Sequence, residues 1–210
     1  LLDTLAPALS DIGNVMETLA DRQGRPAGPL RVTMPMIAAE DIVMPRLDAF
    51  LRARQISSGF VGFKDDETGE RASYVFPDQP KLDALEDYIL EKIPAGRKFV
   101  VFHEFNFSGE QIMKMLKKNG IHAVLLNGKT KPADVPKVKA EFKNNKKCEA
   151  LVLSNSSGGF GLNLQHAQFG LYFEAPVDPI IRKQTQRRFE RQYSAFKRVF
   201  MVDFIVRGTA

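Results

Sequence analysis

Residues 150–164 read ALVLSNSSGGFGLNL, a short apolar run followed directly by hydroxyl side chains and glycines. The run over 150–153 has the length and composition of a buried strand. Hydroxyl groups and backbone N–H groups that follow a strand can donate to phosphate oxygens, and glycine lets the backbone approach such a group closely. A flexible turn without a ligand has the same composition. The stretch alone therefore leaves a phosphate contact and a plain turn both open.

The sequence around this stretch alternates apolar runs with amphipathic segments. The predicted strands are 98–103, 121–126, 150–153, 169–173 and 198–204, and the predicted helices are 81–93, 108–119, 132–144 and 178–194. Ser108, with Gln111 three residues later, has the pattern of a capping box at a helix start. Strands that alternate with helices predict an α/β fold, a parallel sheet with helices on both faces. Ligands of such folds lie at the carboxyl ends of the strands.

A second polar motif, QTQRRFER at residues 184–191, lies on the last predicted helix. Gln184, Arg188 and Arg191 are spaced by four and three residues, so the helix would present them on one face. Arginine keeps its charge and offers a planar fork of donors, which suits the charge of a transferring phosphoryl group. A solvated basic helix has similar spacing. The motif by itself therefore leaves both interpretations open.

The order of these motifs resembles the second motor lobe of the Swi/Snf family of ATP-dependent DNA translocases, within helicase superfamily two. The resemblance covers about residues 52–210 and implies a RecA-like three-layer fold. Strand 99–103 resembles motif IV of that family, 154–164 resembles motif V, and 184–191 resembles motif VI. Motifs V and VI in this order and spacing are highly specific to the family.

The resemblance implies roles for the matching residues. Arg188 and Arg191 are expected to reach across a cleft and stabilise charge on the γ-phosphate of an ATP held by another lobe, with Gln184 as a neighbouring contact. The other implied contacts are Gly159 and Gly161 near the nucleotide, and His103, Asn127, Gly128, Ser154 and Asn163 along the DNA backbone.

Two motifs needed for ATP hydrolysis are missing from the sequence. The chain has no Gly-x-x-x-x-Gly-Lys-Ser/Thr loop and no strand that ends in Asp-Glu. In such motors these motifs hold ATP and Mg²⁺ on the first lobe. We therefore expect ATP and Mg²⁺ to be cofactors of an intact enzyme only, and this chain alone to bind neither and to hydrolyse no ATP. One cysteine and three scattered histidines predict no metal site.

Residues 1–54 differ in composition from the rest. They contain no lysine, and Phe50 is their only aromatic residue. This break predicts a domain boundary at about Arg54, with one domain at 1–54 and another at 55–210. The apolar stripe of a helix over 1–22 suits either self-association or packing on its own domain. A strand at 30–34 and a second helix at 38–54 complete a predicted helix–strand–helix segment.

The first segment resembles the linker helix and the start of the effector domain of LysR-family transcription regulators. The resemblance is carried by GPLRVTMP at residues 28–35 and PRLDAFLRAR at residues 45–54. No winged-helix DNA reader and no further effector domain accompany it, so ligand binding and gene regulation are not carried over. A natural fusion, an engineered chimera and an artefact of joining all remain open as its origin.

Charge and hydropathy limit the classes of function. The net charge of +5 favours a polyanionic partner, and the resemblance implies double-stranded DNA and a missing first motor lobe. No apolar run approaches the roughly 18 residues that a membrane helix needs, and no signal peptide opens the chain. We therefore expect a cytoplasmic, bacterial or phage-encoded protein without a membrane partner. A non-catalytic DNA-binding or structural module and a LysR fragment are the alternatives.

Overall fold

The computed structural model describes Met36, Asp41 and residues 43–64, 69–160, 162–190 and 196–206. The helices of this part are α1 (Met44–Ser57), α2 (Pro80–Lys92), α3 (Asn106–Lys118), α4 (Val135–Asn144) and α5 (Pro179–Arg187). The strands are β1 (Phe60–Lys64), β2 (Arg71–Val75), β3 (Phe99–His103), β4 (His122–Leu126), β5 (Cys148–Ser154), β6 (Phe169–Tyr172) and β7 (Phe200–Asp203). A 3-10 helix (Asn155–Phe160) follows β5 directly.

Five strands form one parallel sheet in the order β4-β5-β3-β6-β7. All five residues of β3, the central strand, are buried, which explains why the first four are apolar. Alternate residues point to opposite faces. Val100 and Phe102 join the cluster that includes Phe142 of α4, while Phe99 and Val101 pack with α2 and α3. The predicted α/β fold with helices on both faces is thus confirmed.

A β-hairpin precedes the sheet and was not predicted from the sequence. β1 and β2 pair antiparallel from Phe60 opposite Val75 to Lys64 opposite Arg71. Apart from Phe60, the side chains described in this hairpin are half-buried or exposed. An exposed hairpin needs little apolar alternation, so the sequence gives only a weak strand pattern there.

Helix α1 runs through the boundary that composition predicts at about Arg54. The helix continues to Ser57, so the structure has no break between elements at that point. The Arg54 guanidinium donates a hydrogen bond to the carbonyl of Ala175 at 2.9 Å. α1 is thereby tied to the end of the parallel sheet. It corresponds to the second helix of the predicted helix–strand–helix segment, whose first helix and strand lie outside the described residues.

The start of α3 differs from the capping box that the sequence predicts. The helix begins at Asn106, so Ser108 lies in its first turn, where it is buried. Its hydroxyl donates to Glu174 Oε1 at 2.6 Å. Glu174 Oε2 accepts from the N–H groups of Glu104 and Phe105, at 2.6 and 3.0 Å. A distant carboxylate therefore holds this helix start, and only the tertiary fold brings it there.

The end of α5 also differs from the prediction. The predicted helix extends to residue 194, whereas α5 ends at Arg187 and Arg188 forms its C-cap. Arg188 and Phe189 form a turn, and residues 191–195 lie outside the described part of the chain. The single helical face expected for Gln184, Arg188 and Arg191 therefore cannot be traced along α5.

Candidate functional site

The parallel strands end at one edge of the sheet, called here the carboxyl edge. His103, the last residue of β3, is paired with Ser154, the last residue of β5. The segments that follow these strands are therefore neighbours. Three polar side chains lie where strands end at this edge: Glu104, Asn155 and Glu174.

Asn155 connects the segments that follow β3, β5 and β6. Its Nδ2 donates to Glu104 Oε2 and to the carbonyl of Glu174, both at 2.9 Å. Asn155 is 2% exposed and Glu174 is 3% exposed, so both hydrogen bonds form away from water. We expect this network to hold the loop after β5 in one position. This network was not predicted from the sequence, although an acid directly after the apolar run 169–173 was an available signal.

The loop after β5 begins as a tight turn of 3-10 helix. Ser154 is buried, and its hydroxyl is hydrogen-bonded to that of Ser156 at 2.8 Å. Gly159 lies within the 3-10 helix, while Gly161 lies outside the described residues. The backbone of Gly159, a proposed nucleotide contact, is thus part of this turn.

The end of the same loop anchors it in the core and exposes one polar residue. Leu162 and Leu164 are buried, and Asn163 between them is exposed. Asn163 Oδ1 accepts a hydrogen bond from the N–H of Gln165 at 3.2 Å. The predicted DNA-contacting residue Asn163 is thus presented to solvent by a well-anchored segment.

Helix α5 packs beside this loop and is fixed in rotation by buried hydroxyls. Asp178 caps the helix by accepting from the N–H of Ile180 at 2.7 Å. The hydroxyls of Thr185 and Tyr172 are hydrogen-bonded at 2.7 Å inside the fold. Because Thr185 points inward, its neighbour Gln184 points to solvent and is exposed.

Arg188 is tied to the loop after β5 through its backbone. Its carbonyl accepts from the N–H of Leu164, and its own N–H donates to the carbonyl of Thr185, each at 3.2 Å. The side chain is half-buried. The structure therefore brings the backbone of Arg188 to the end of the glycine-rich loop. Arg191 lies outside the described residues.

Arg182 is a further charged residue of α5 that the sequence analysis did not identify. Its guanidinium lies 3.6 Å from the centre of the Tyr172 ring and forms two hydrogen bonds with Asp203 of β7, at 2.5 and 2.8 Å. The hydrogen bonds with Asp203 raise the pKa of Arg182. These contacts tie α5 to β6 and β7. Nothing in the sequence distinguishes Arg182 from the exposed Arg187.

Three of the five residues predicted to contact DNA are buried. His103 is 0% exposed, and Asn127 and Ser154 are each 3% exposed. The side chains of these three residues are turned away from solvent in this structure. Gly128 and Asn163, the other two, are exposed.

Asn127 and His103 instead shape the loops at the carboxyl edge. Asn127 Oδ1 accepts from the N–H of Lys129 at 3.0 Å, which folds the turn that presents Gly128. Nδ1 of His103 is hydrogen-bonded to the carbonyl of Phe105 at 3.0 Å. Burial lowers the pKa of His103, so the ring is held neutral.

The residues that the structure describes contain neither a metal-binding cluster nor a membrane span. Within them, no group of three or more His, Cys, Asp or Glu side chains is arranged to hold a metal ion. None of their helices is long and apolar enough to cross a membrane.

Comparison with known families identifies one match. The sequence model of the family described as "Helicase conserved C-terminal domain" matches residues 80–192, more than half of the chain. The match includes β3 to β6, the loop after β5 and Arg188. Residues 1–54 lie outside it, and neither the family match nor the similar proteins give the LysR resemblance any support.

Curated relatives are similar over part of the chain. Helicase SWR1 of Candida albicans is 27% identical over 128 residues, which are 58% of this chain and 8% of the relative. The SWI/SNF-related matrix-associated actin-dependent regulator of chromatin subfamily A-like protein 1 of Xenopus tropicalis is 24% identical over 160 residues, 75% of this chain and 17% of the relative. The chain thus spans less than a fifth of these relatives. Both are eukaryotic, so they do not support the expected bacterial or phage origin.

Solved structures share the fold. The C-terminal part of the Fun30 ATPase domain has a TM-score of 0.56 and 24% identity, covering 62% of this chain and 42% of that one. The C-terminal domain of the DEAD-box protein Dbp5 has a TM-score of 0.53 and 16% identity, covering 61% and 71%. The parallel sheet with helices on both faces is therefore the RecA-like fold that was predicted.

Proposed function

Since the chain belongs to the family of helicase conserved C-terminal domains, we propose that it acts as the second motor lobe of an ATP-dependent DNA translocase or helicase of the Swi/Snf type. The similarity to SWR1 and to the SWI/SNF-related protein supports this type. The lobe would bring arginine side chains and DNA-backbone contacts to a partner lobe that holds the nucleotide.

The position of Arg188 is the observation that carries this proposal. The hydrogen bond between its carbonyl and Leu164 joins the glycine-rich loop to the end of α5. A shift of the loop on DNA would therefore also shift Arg188. We assign Arg188, with Arg191, as the arginine fingers that stabilise negative charge on a transferring phosphoryl group. Gln184, which is exposed on α5, is their proposed neighbour at the nucleotide.

The described residues fit part of an ATP site only. A guanidinium suits the γ-phosphate, but no cluster of carboxylates in the described part of the chain is arranged to hold Mg²⁺. ATP, when bound by a first lobe, would supply the phosphoryl group whose charge Arg188 faces. This chain alone is therefore proposed to be inactive as an ATPase.

We propose that the DNA backbone contacts the exposed residues of the carboxyl edge. Asn163 presents a side-chain amide to solvent, and the turn that holds Gly128 and Lys129 presents an ammonium. The Lys129 ammonium pairs with Glu110 at 3.0 Å, but both side chains are well exposed. An exposed pair is weak, so a phosphate can compete for this ammonium. The buried Asn127 and Ser154 would act by shaping these loops.

DNA binding by the chain tests the proposal. Its affinity for duplex DNA should fall steeply with salt and should be equal for unrelated sequences, because phosphate contacts carry no sequence information. K129A should weaken binding several-fold and reduce the salt slope by about one. K92A is the matched control, because Lys92 ends α2 just before β3 begins, at the opposite edge of the sheet.

Fluorescence anisotropy over a salt series measures these affinities, and a phosphate-release assay with ATP and DNA measures turnover. No turnover above the blank is expected from this chain. Salt-independent binding, or equal losses in K129A and K92A, would contradict the proposed DNA interface. Turnover by the chain alone would contradict the need for a nucleotide-binding first lobe.

A further inference from the structure

A cavity with a volume of about 190 Å³ lies between α1, the start of α2 and the ends of β6 and β7. It is separate from Arg188 and from the loop after β5. The polar residues that line it are Arg54, Ser57, Ser58, Lys81 and Glu174. None of them belongs to the proposed motor residues, so a ligand in this cavity would be independent of the proposed function.

Lys81 brings an ammonium group without an acceptor to this cavity. Its Nζ lies 4.9 Å from the centre of the Phe173 ring. Among the residues that the structure describes, it has no hydrogen bond and no ion pair within 4 Å. Burial lowers the pKa of Lys81; Glu174 partly offsets this effect and the positive charge of Arg54 adds to it. A half-buried ammonium of this kind lacks a paired anion within 4 Å in the described structure.

Arg54 brings a second cation with unused donors. One nitrogen, Nη2, donates to the carbonyl of Ala175 at 2.9 Å. The guanidinium also lies 5.7 Å from the centre of the Phe105 ring, which holds the group in place. A guanidinium has five N–H donors. Most of these donors therefore have no acceptor in the described structure.

Ser58 adds a buried hydroxyl. The residue is 6% exposed, and its Oγ has no hydrogen-bond partner among the described residues. The hydroxyl of the neighbouring Ser57 already donates to the carbonyl of Arg54 at 2.8 Å. A buried polar group without a partner is uncommon and indicates a missing ligand or water.

Glu174 lines the same cavity, but its carboxylate cannot accept hydrogen bonds from all the donors of Lys81, Arg54 and Ser58. Its carboxylate already accepts hydrogen bonds from Glu104, Phe105 and Ser108, with lengths of 2.6 to 3.0 Å. The charged side chains that line the cavity are thus two cations and one carboxylate that is bonded elsewhere. The cavity therefore has an excess of positive charge and of hydrogen-bond donors.

We propose that this cavity binds a phosphate group, held by the Lys81 ammonium and the Arg54 guanidinium, with the Ser58 hydroxyl as a further donor. An ammonium and a guanidinium together are a common phosphate-binding pair, and charge-assisted hydrogen bonds are the strong ones. The phosphate can come from a nucleic-acid backbone or from a small phosphate compound, because both present the same oxygens.

Titration of the whole chain with inorganic phosphate, followed by amide NMR at constant ionic strength, tests the proposal. Saturable shifts are expected at Ser57, Ser58, Lys81 and Ala175. K81Q should weaken phosphate binding at least ten-fold, K81R should largely retain it, and the matched control K117Q, an exposed lysine of α3, should not change it. The pattern of amide shifts in the wild-type chain needs no variant, so it tests the proposal even if K81Q folds poorly.

A second titration with a 20-base-pair duplex separates the two sources. Shifts at the cavity with both ligands identify a site that accepts a phosphodiester, and shifts with phosphate alone identify a site for a small phosphate compound; either result supports the proposal. No saturable shift at the cavity with either ligand would overturn it. Equal phosphate affinity in wild type and a folded K81Q would do the same.

Discussion

Glu174 is a buried carboxylate on which the start of α3 depends. It takes the place of the side-chain cap that α3 lacks. An anion at a helix N-terminus is favoured by the helix dipole as well as by the hydrogen bonds. Removing the carboxylate would leave the N–H groups of Glu104 and Phe105 and the hydroxyl of Ser108 without their acceptor.

E174A should therefore destabilise the protein by about 3 kcal/mol, because a buried donor without a partner costs about 1–3 kcal/mol. E174Q should cost only about 1 kcal/mol, since its carbonyl can still accept from the two N–H groups while its amide donates to Ser108. Urea unfolding followed by circular dichroism gives both values. Equal losses of stability in the two variants would show that the hydrogen bonds at the start of α3 are not the reason for the destabilisation.

His103 shows how a residue at a strand end can be structural. A β-carbon on Gly109 would lie 2.7 Å from the His103 ring, so the glycine lets α3 approach the ring closely. Nε2 of the ring has no hydrogen-bond partner among the described residues. Protonation at Nε2 would place an unpaired N–H inside the fold, which burial disfavours.

The stability of the protein should consequently fall on acidification. The pKa of His103 is lowered in the folded state, so the unfolded state binds more protons just below the ordinary histidine pKa of about 6.5. Stability is then lost as the pH falls through this range. Between pH 7.5 and 5.5, His103 should account for about 1 kcal/mol of the loss.

The comparison of H103Q with wild type, by urea unfolding at both pH values, isolates this contribution. H103Q should lose less stability on acidification, whereas H122Q, which removes an exposed histidine, should lose as much as wild type. The pKa of His166 is also lowered, by burial and by Lys143 and Lys98, but His166 is present in all three proteins. The same loss in H103Q as in wild type would refute the assignment.

Helix α1 has little support from packing. None of its residues is buried, and Met44, Leu47, Phe50, Leu51 and Ile56 are 46–57% exposed. A small set of polar contacts connects α1 to the rest of the fold. The chief ones are the hydrogen bond from Arg54 to Ala175 and the one that the Gln55 side chain accepts from the N–H of Gly62 at 3.0 Å.

A chain shortened to residues 55–210 should fold but be less stable than one shortened to 44–210. The shorter one lacks the hydrogen bond between Arg54 and Ala175 and the contact of Arg54 with Phe105, together worth about 2 kcal/mol. The expected decrease in Tm is roughly 5 °C, measured by differential scanning calorimetry. Equal Tm values would instead support the predicted domain boundary at about Arg54.

The sequence predicts helices and strands well where one hydrophobic pattern is strong. It predicts them poorly where tertiary contacts determine the ends of an element. β3 begins with four apolar residues and β5 contains the apolar run 150–153, and α2 and α4 are predicted nearly to their ends. The end of α5 is different, because Gln184 to Glu190 remain suitable for a helix in sequence. In the structure the helix ends just before Arg188, whose carbonyl accepts a hydrogen bond from the N–H of Leu164.

At the scale of the molecule, the parallel sheet and the edge that carries the site follow from the alternation of strands and helices. The exposure of individual side chains at that edge does not follow from this alternation. β3 is buried on both faces, so period-two alternation cannot tell whether His103 points into the protein or out of it. The network of Glu104, Asn155 and Glu174 joins segments up to 70 residues apart, and no local pattern announces it.

The most direct measurement of the proposed motor role is ATP hydrolysis by a longer version of the protein that carries a nucleotide-binding first lobe, with DNA present. R188A should lower turnover at least a thousand-fold, as expected for an arginine finger, and should leave DNA affinity unchanged. R187A removes the adjacent, exposed arginine of α5 and should keep near wild-type turnover. Wild-type turnover in R188A, or equal losses in both variants, would contradict the assignment of this chain as the arginine-supplying lobe of an ATP-driven motor.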